Sequence, residues 1–281
     1  MRVSGNTVLI TGGSSGIGLA VAELLSSSGN QVVICGRDER KLGKAKERLP
    51  SVHTVVCDVA VRAEREHLFR RTIQDFPHLD FLINNAGIQR ETDFLSGAPE
   101  LTDGESEIET NLTASVHLAA LFIPHFLRLS GDCALVNVTS GLAFIPLMTV
   151  PVYCATKAAL HSFSISLRSQ LAGTNVRVFE IIPPMVRTDL HRGDQSREQA
   201  EKRGISPAQV AAKMVHAFAK DRYEAPIGQG RDLMAASRIA PHFFHRMLNK
   251  LVAKPPGSNE LRSGGATQAP ALESSRRKAS L

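Results

Sequence analysis

A short apolar run, Thr7-Val8-Leu9-Ile10, passes straight into Thr11-Gly12-Gly13-Ser14-Ser15-Gly16-Ile17-Gly18, and this junction limits the fold more than any other feature of the chain. A β-branched run without polar alternation fits a strand buried on both faces, as in a parallel sheet. Leu19, Val21, Ala22, Leu24 and Leu25 then recur at helical spacing. Gly12, Gly16 and Gly18 permit a tight turn, close backbone approach and close packing of helix on strand. The helix directs its unpaired amides, and the positive end of its dipole, at a phosphate beyond the turn. The spacing is G-x-x-x-G-x-G rather than G-x-G-x-x-G, and the lysine of a nucleotide-hydrolase P-loop is missing. A glycine-rich turn alone only connects elements; between a strand and a helix it makes a dinucleotide site.

The same alternation continues along the chain. Strand signals fall at Thr7–Thr11, Gln31–Cys35, Thr54–Cys57, Phe81–Asn84, Ala134–Val138, Arg177–Ile182 and Tyr223–Pro226. Helical patterns fill the intervals at Leu19–Ser27, Glu39–Leu49, Arg62–Asp75, Glu107–Leu127, Val152–Leu171 and Pro207–Ala219. Strands alternating with helices predict an α/β fold, a doubly wound parallel sheet with helices on both faces. Right-handed crossovers then gather the strand carboxyl ends, and any ligand, along one edge. A chain of 281 residues with 43% hydrophobic content buries a substantial core as a single domain.

Tyr153 and Lys157 carry the chemistry. In Tyr153-Cys154-Ala155-Thr156-Lys157 a helix stacks both side chains on one face, a turn apart. A phenol titrates near about 10, and a neighbouring ammonium favours the phenolate, pulling that value toward the working pH. On the pair alone a surface tyrosine beside a solvated lysine is the preferred reading, and the rest of the chain reverses it. Ser140 closes the apolar run Ala134–Val138, where a hydroxyl emerges at the sheet edge, although a turn serine is the commoner fate of such a residue. The histidines show no metal-ligand spacing, so no metal is expected.

In order along the chain, Thr11 through Gly18, Asp58, Asn84-Asn85-Ala86-Gly87, Asn111, Ser140, Tyr153 with Lys157, and Pro183 through Thr188 resemble the landmarks of the short-chain dehydrogenase/reductase family of single-domain type. Within it, Ile34-Cys35-Gly36-Arg37 and Asn85 through Gln89 resemble the bacterial oxidoreductase group named DltE. The resemblance implies a Rossmann-type sheet and hydride transfer between a nicotinamide cofactor and a carbonyl or secondary alcohol. It implies that Tyr153 exchanges the proton, Ser140 bonds the substrate oxygen, Lys157 lowers the Tyr153 pKa and holds the nicotinamide ribose, and Asn111 relays protons through water. Asn111 is otherwise an amino cap or a polar kink. The resemblance further implies a cofactor cradle of Gly12, Ser14, Ser15, Gly16, Ile17 and Gly18, with Asp58 and Val59 near the adenine. Asn85, Ala86 and Gly87 would run along the cofactor, and Pro183, Val186 and Thr188 beside the nicotinamide. Pro184 stands where the family usually has glycine, stiffening that turn. Relatives often form dimers or tetramers through the Asn111 and Tyr153 helices, so a homo-oligomer is expected.

Charge argues for NADP(H) over NAD(H). An acidic residue closing the second strand would bind ribose hydroxyls and repel a 2′-phosphate; Gly36 stands there instead, followed by Arg37. A guanidinium clamps a phosphate in a bidentate, charge-assisted contact, with Ser14 or Ser15 adding a hydroxyl. Arg37 is otherwise one surface cation among Arg40 and Lys41. Leu142, Phe144, Ile145, Leu147, Met148 and Met185 suggest an apolar substrate pocket, or belong to the core. The segment from Thr188 to Arg203 lacks an apolar period and reads as a mobile lid over the substrate.

Residues 1–230 thus form the dinucleotide-binding catalytic domain, residues 231–254 a basic amphipathic helical segment and residues 255–281 a Pro/Gly/Ser-rich, disordered tail. From Arg231 onward the chain has 9 Lys and Arg against 3 Asp and Glu, which accounts for the whole net charge of +6. Phe243, Phe244, Met247, Leu248, Leu251 and Val252 recur at helical spacing after Pro241, with Arg246, Lys250 and Lys254 between them. Such a helix lies on an anionic membrane surface or packs on the core or a partner subunit; packing is the preferred reading. Arg276-Arg277-Lys278 is too short to indicate nucleic acid. No stretch is long and apolar enough to cross a bilayer, and the start lacks a signal-peptide pattern. Cys35, Cys57 and Cys133 read as buried thiols of a reducing, cytoplasmic compartment, and Cys154 as a reachable neighbour of Tyr153. The competing function is a non-catalytic dinucleotide-binding sensor or scaffold acting through its C-terminal segment, which would need only the cofactor half of the site.

Overall fold

Seven strands, β1 (Thr7–Thr11), β2 (Gln31–Gly36), β3 (His53–Val56), β4 (Phe81–Asn84), β5 (Cys133–Val138), β6 (Val176–Ile182) and β7 (Glu224–Pro226), pair in parallel in the order β3-β2-β1-β4-β5-β6-β7. The computed structural model describes residues 1–102, 105–190 and 194–250, without the side chains of 194–197 and 199. Helices α1 (Gly16–Ser27), α2 (Glu39–Arg48), α3 (Arg62–Asp75), α4 (Ala114–Phe126), α5 (Pro151–Gln170), α6 (Asp194–Arg203) and α7 (Pro207–Ala219) follow the strands, and α8 (Gln229–Ile239) and α9 (Pro241–Lys250) follow β7. The strand order reverses between β1 and β4, which opens a crevice at the carboxyl ends of the strands.

The period of two along each strand divides the core. Val8 and Ile10 face α1 and α7 with Val21, Leu25, Met214 and Phe218, whereas Leu9 faces the opposite layer with Leu68, Leu118, Phe122 and Leu167 of α3, α4 and α5. Both faces of the central strands are covered, so these strands are largely apolar, as a doubly wound sheet requires, with Asn84, Asn137 and Glu180 as buried polar exceptions. Local chemistry fixes the helix starts. Ser206 and Gln209 form a reciprocal capping box ahead of α7 with Pro207 at its first position, and the Asp38 carboxylate accepts from the Lys41 amide to start α2.

Three spans depart from the expected elements. The helix predicted over Glu107–Leu127 is interrupted by a π-helical turn at Glu109–Thr113, which carries Asn111. The expected lid contains α6, which places Ala200 in the core and closes where the Gly204 amide donates to Ala200 O (2.8 Å). Residues 191–193 of that lid lie outside the described residues. In the basic segment Pro241 opens α9 at the position read from the sequence, and a further helix, α8, precedes it from Gln229, across the expected boundary at residue 230. Residues 251–254, the 255–281 tail and its Arg276-Arg277-Lys278 cluster lie outside the described residues. Among the described residues no helix is long and apolar enough to cross a membrane, and no three His, Cys, Asp or Glu side chains gather as metal ligands.

Candidate active site

The turn after β1 is welded to the turn after β4. Thr11 Oγ1 accepts from the Asn85 and Ala86 amides (3.0 Å each), and Asn85 Nδ2 donates to the carbonyls of Thr11 (2.9 Å) and Gly12 (3.2 Å). This leaves no room at two glycines. Gly12 has φ +64°, and a Cβ there would stand 2.9 Å from Ala86 Cα; a Cβ at Gly18 would stand 2.4 Å from Gly12 O. Ser15, the residue before α1, makes no side-chain cap, so the first-turn amides of α1 open onto a cleft of about 700 Å³. Ser14, Ser15, Gly16 and Ile17 line that cleft with Gly12, and Thr188 closes on Gly16 from the far side.

At the outer rim, Arg37 points its guanidinium at Glu105, with Nη2 2.5 Å from Oε1, and Lys41 Nζ lies 3.7 Å from Asp189 Oδ2. Asp38 is occupied as the cap of α2, and the Lys41 amide it accepts from holds its carboxyl below the usual range. Asp58 turns its carboxylate onto the Ala60 amide (2.9 Å), and Val59 O accepts from Arg65 Nη1 (2.5 Å), fixing the β3 exit where both residues line the cleft.

The centre of the cleft collects Ser140, Tyr153 and Lys157, all buried yet lining it. Ser140 leaves β5 in extended backbone, and its Oγ accepts from the Leu142 amide (3.1 Å). Tyr153 and Lys157 sit on successive turns of α5, with Nζ 5.7 Å from the phenol ring centroid. Lys157 donates to Val138 O (2.9 Å), the last residue of β5. The electrostatics correct one expectation. Burial raises the Tyr153 phenol well above its ordinary value, with a Ser140 hydrogen bond opposing it, instead of Lys157 lowering it. Burial also brings Lys157 itself down to about 8, so the ammonium meant to stabilise a phenolate is itself strained toward neutrality.

Of the predicted site residues, Gly18 and Asn111 do not line the cleft; the others do. Gly18 packs under the turn. Asn111 is fully buried behind Gly87, and its amide accepts from the Ile88 amide (2.8 Å) and donates to Ile88 O (2.9 Å) and Thr156 Oγ1 (3.1 Å). It sits in the π-helical turn with both atoms of its amide bonded. A Cβ at Gly87 would stand 3.3 Å from Asn111 Oδ1 and 3.6 Å from Lys157 Nζ, so the two groups flank one spot. Of the apolar candidates, Leu142, Leu147 and Met185 line the cleft, whereas Ile145 is core and Phe144 packs edge-on against His161 at 4.6 Å. Cys154 is buried, not reachable: its thiol accepts from the Leu147 amide, and burial raises it to about 11.

Two groups of residues were not anticipated. Leu233 of α8 and Leu248 of α9 form part of the apolar wall with Gln229, and Asn249 clamps the neighbouring loop by accepting from the Met148 amide (2.6 Å) and donating to Pro146 O (3.1 Å). The helical spacing of the C-terminal apolar residues was the signal, but it does not say which surface they meet. Behind Ser140, the fully buried Glu180 accepts from Thr139 Oγ1 (2.7 Å) and pairs with His161 Nδ1 (2.8 Å). A carboxylate inside the apolar run Val176–Ile182, and a histidine four residues past Lys157, were the legible hints.

The family model for short chain dehydrogenases matches residues 6–199, more than half of the chain. The Bacillus subtilis (strain 168) oxidoreductase DltE, itself uncharacterized, is 48% identical over 238 residues, covering 85% of this chain and 94% of that protein. Among solved structures, a short-chain dehydrogenase/reductase from Burkholderia phymatum in complex with NAD superposes with a TM-score of 0.75 at 22% identity, covering 91% of this chain and 99% of that one. The closed form of serine dehydrogenase complexed with NADP+ superposes with a TM-score of 0.69 at 26% identity, over 75% of this chain and 88% of that one. With the doubly wound sheet and the ordered motifs, these matches make the chain a member of the short-chain dehydrogenase family, an oxidoreductase of nicotinamide dinucleotides.

Proposed function

We propose that the protein is an NADP(H)-dependent oxidoreductase that interconverts a carbonyl and a secondary alcohol on a partly apolar substrate. One observation carries this: Ser140, Tyr153 and Lys157 converge in the cleft onto which the uncapped start of α1 opens. The dinucleotide fits those residues. The first-turn amides and dipole of α1 suit its pyrophosphate, and Ser14 and Arg37 flank the edge where a 2′-phosphate would lie. When bound, the dinucleotide would supply or accept the hydride. Ser140 Oγ orients the substrate oxygen. Tyr153, whose phenol burial holds protonated, would donate the proton in reduction and accept it in oxidation. Lys157 would bond the nicotinamide ribose and steady the tyrosine as it loses its proton, and Asn111 would relay protons toward Lys157 through a water at the spot the two flank beside Gly87. Leu142, Leu147, Leu233 and Leu248 would hold the apolar part of the substrate. The buried free thiols suit a cytoplasmic setting, and exposed Val116 on α4 and Ile165 on α5 suit contact with a second copy.

A screen of aliphatic aldehydes, ketones and quinones, following NADPH absorbance, tests the reading. Tyr153→Phe is expected to lower kcat by about 100-fold or more while NADPH binding, read by nicotinamide fluorescence, is retained. Turnover that survives this substitution would remove Tyr153 from the role of acid.

A further inference from the structure

The rim residue that argues for NADP(H) already holds an anion. Arg37 and Glu105 lie on either side of β3 and β4 in sequence, yet their side chains meet at 2.5 Å, both partly exposed, at the edge of the cleft. The backbone beneath Glu105 is fixed: Glu105 O accepts from Arg90 Nη1 (3.0 Å), and the Glu107 carboxylate accepts from the Arg90 amide (3.0 Å). The Glu105 carboxylate therefore reaches over to Arg37 from a held loop. Resting on the NADP(H) reading, we propose that Glu105 is a surrogate for the cofactor's 2′-phosphate. NADP(H) binds by exchanging this carboxylate for the phosphate on Arg37, so Glu105 sets the preference between the two nicotinamide cofactors.

The physics favours exchange without making it free of cost. A partly exposed ion pair is weak because water competes for both ends and two side chains must be ordered. A phosphate brings a larger charge and three acceptor oxygens to the same planar fork, a stronger match than one carboxylate contact. A displaced Glu105 still leaves its negative charge close to the phosphate, which opposes NADP(H) and not NAD(H). NAD(H), with two ribose hydroxyls there, leaves the pair intact. A Cβ at Gly36 would crowd Ser14 Oγ at 3.2 Å, so the glycine leaves that hydroxyl room at the same rim.

Fluorescence titrations of the full chain with NADPH and with NADH decide the matter. Glu105→Gln, which keeps size and exposure, is expected to tighten NADPH about three- to tenfold and to leave NADH unmoved. In an Arg37→Ala background the same substitution is expected to change neither affinity, because the group competed for is gone. If Arg37→Ala weakens NADPH selectively but Glu105→Gln does nothing, the surrogate role is wrong and the cofactor reading stands. If Glu105→Gln tightens both cofactors equally, the effect is diffuse charge and the exchange is again wrong. If Arg37→Ala leaves NADPH binding unchanged, or neither cofactor binds, the cofactor reading itself falls and takes the exchange with it.

Discussion

Burial brings the Lys157 ammonium from 10.5 to about 8, and that drop is a cost carried by the folded state at neutral pH. Both states hold the proton below about 8, so the penalty is complete there; between about 8 and 10.5 the unfolded chain binds the extra proton and stability rises with pH. Lys157→Met should therefore raise unfolding stability by about 2 kcal/mol near neutral pH, while abolishing turnover. Denaturant titrations near neutrality and above the lysine's ordinary pKa check this; a gain that is the same at both would exclude burial of charge as its source. The position of the lysine was legible from its spacing to Tyr153. Its depressed basicity, and the raised phenol beside it, were not, because they depend on how completely other elements shield the pair from water.

Among the side chains that fasten helix α5 to the sheet, Lys157 bonds Val138 of β5 and His161 bonds Glu180 of β6, beside Ser164 with Asn137 and Arg168 with Val178. Glu180 also accepts from Thr139, next to Ser140, so one carboxylate ties the strand end bearing the serine to the helix bearing the tyrosine. A fully buried carboxylate stripped of one partner is expensive. His161→Ala is expected to cost about 3 kcal/mol of stability by urea unfolding, with His161→Asn recovering much of it through an amide donor in place of Nδ1. A loss within about 0.5 kcal/mol would show that the pair is solvated and contributes little. At this scale the alternating strands and their helices were read directly, since each rests on its own periodicity and caps. The π-helical turn was not: its local pattern is that of a continuous helix, and the distortion accompanies the bonds of Asn111 with Ile88, a residue 23 positions away. α6 was hidden for a related reason, since a helix with one buried alanine in its last turns presents no apolar period.

The sheet's amino-terminal edge is tied together at Asp80, whose carboxylate accepts from the Thr7 amide (2.9 Å) and whose carbonyl accepts from the Ala134 amide (2.8 Å), joining β1, β4 and β5. Burial raises this carboxyl from 3.8 to about 6, against the Thr7 bond. The folded chain keeps a proton there that the unfolded chain has released, so this contribution is present below 3.8 and is lost as pH rises through about 6. Asp80→Asn keeps an acceptor for Thr7 and should add about 1 kcal/mol near neutral pH, with little change at the acid end of that window. Thermal unfolding across the window checks it, and a gain independent of pH would refute the cause. α9 belongs to the same scale: its Leu248 and Asn249 meet the cleft wall, while Phe243 and Met247 face solvent. The sequence by itself determined the alternation of elements, the parallel sheet, the glycine turn and the order of Ser140, Tyr153 and Lys157, because period, capping and spacing act between near neighbours. Only the tertiary structure decided the partner of Arg37, the direction of the Tyr153 shift, the enclosure of Asn111 and the wall contributed by α8 and α9. Those depend on desolvation and on contacts between residues far apart in the chain, which no local pattern encodes.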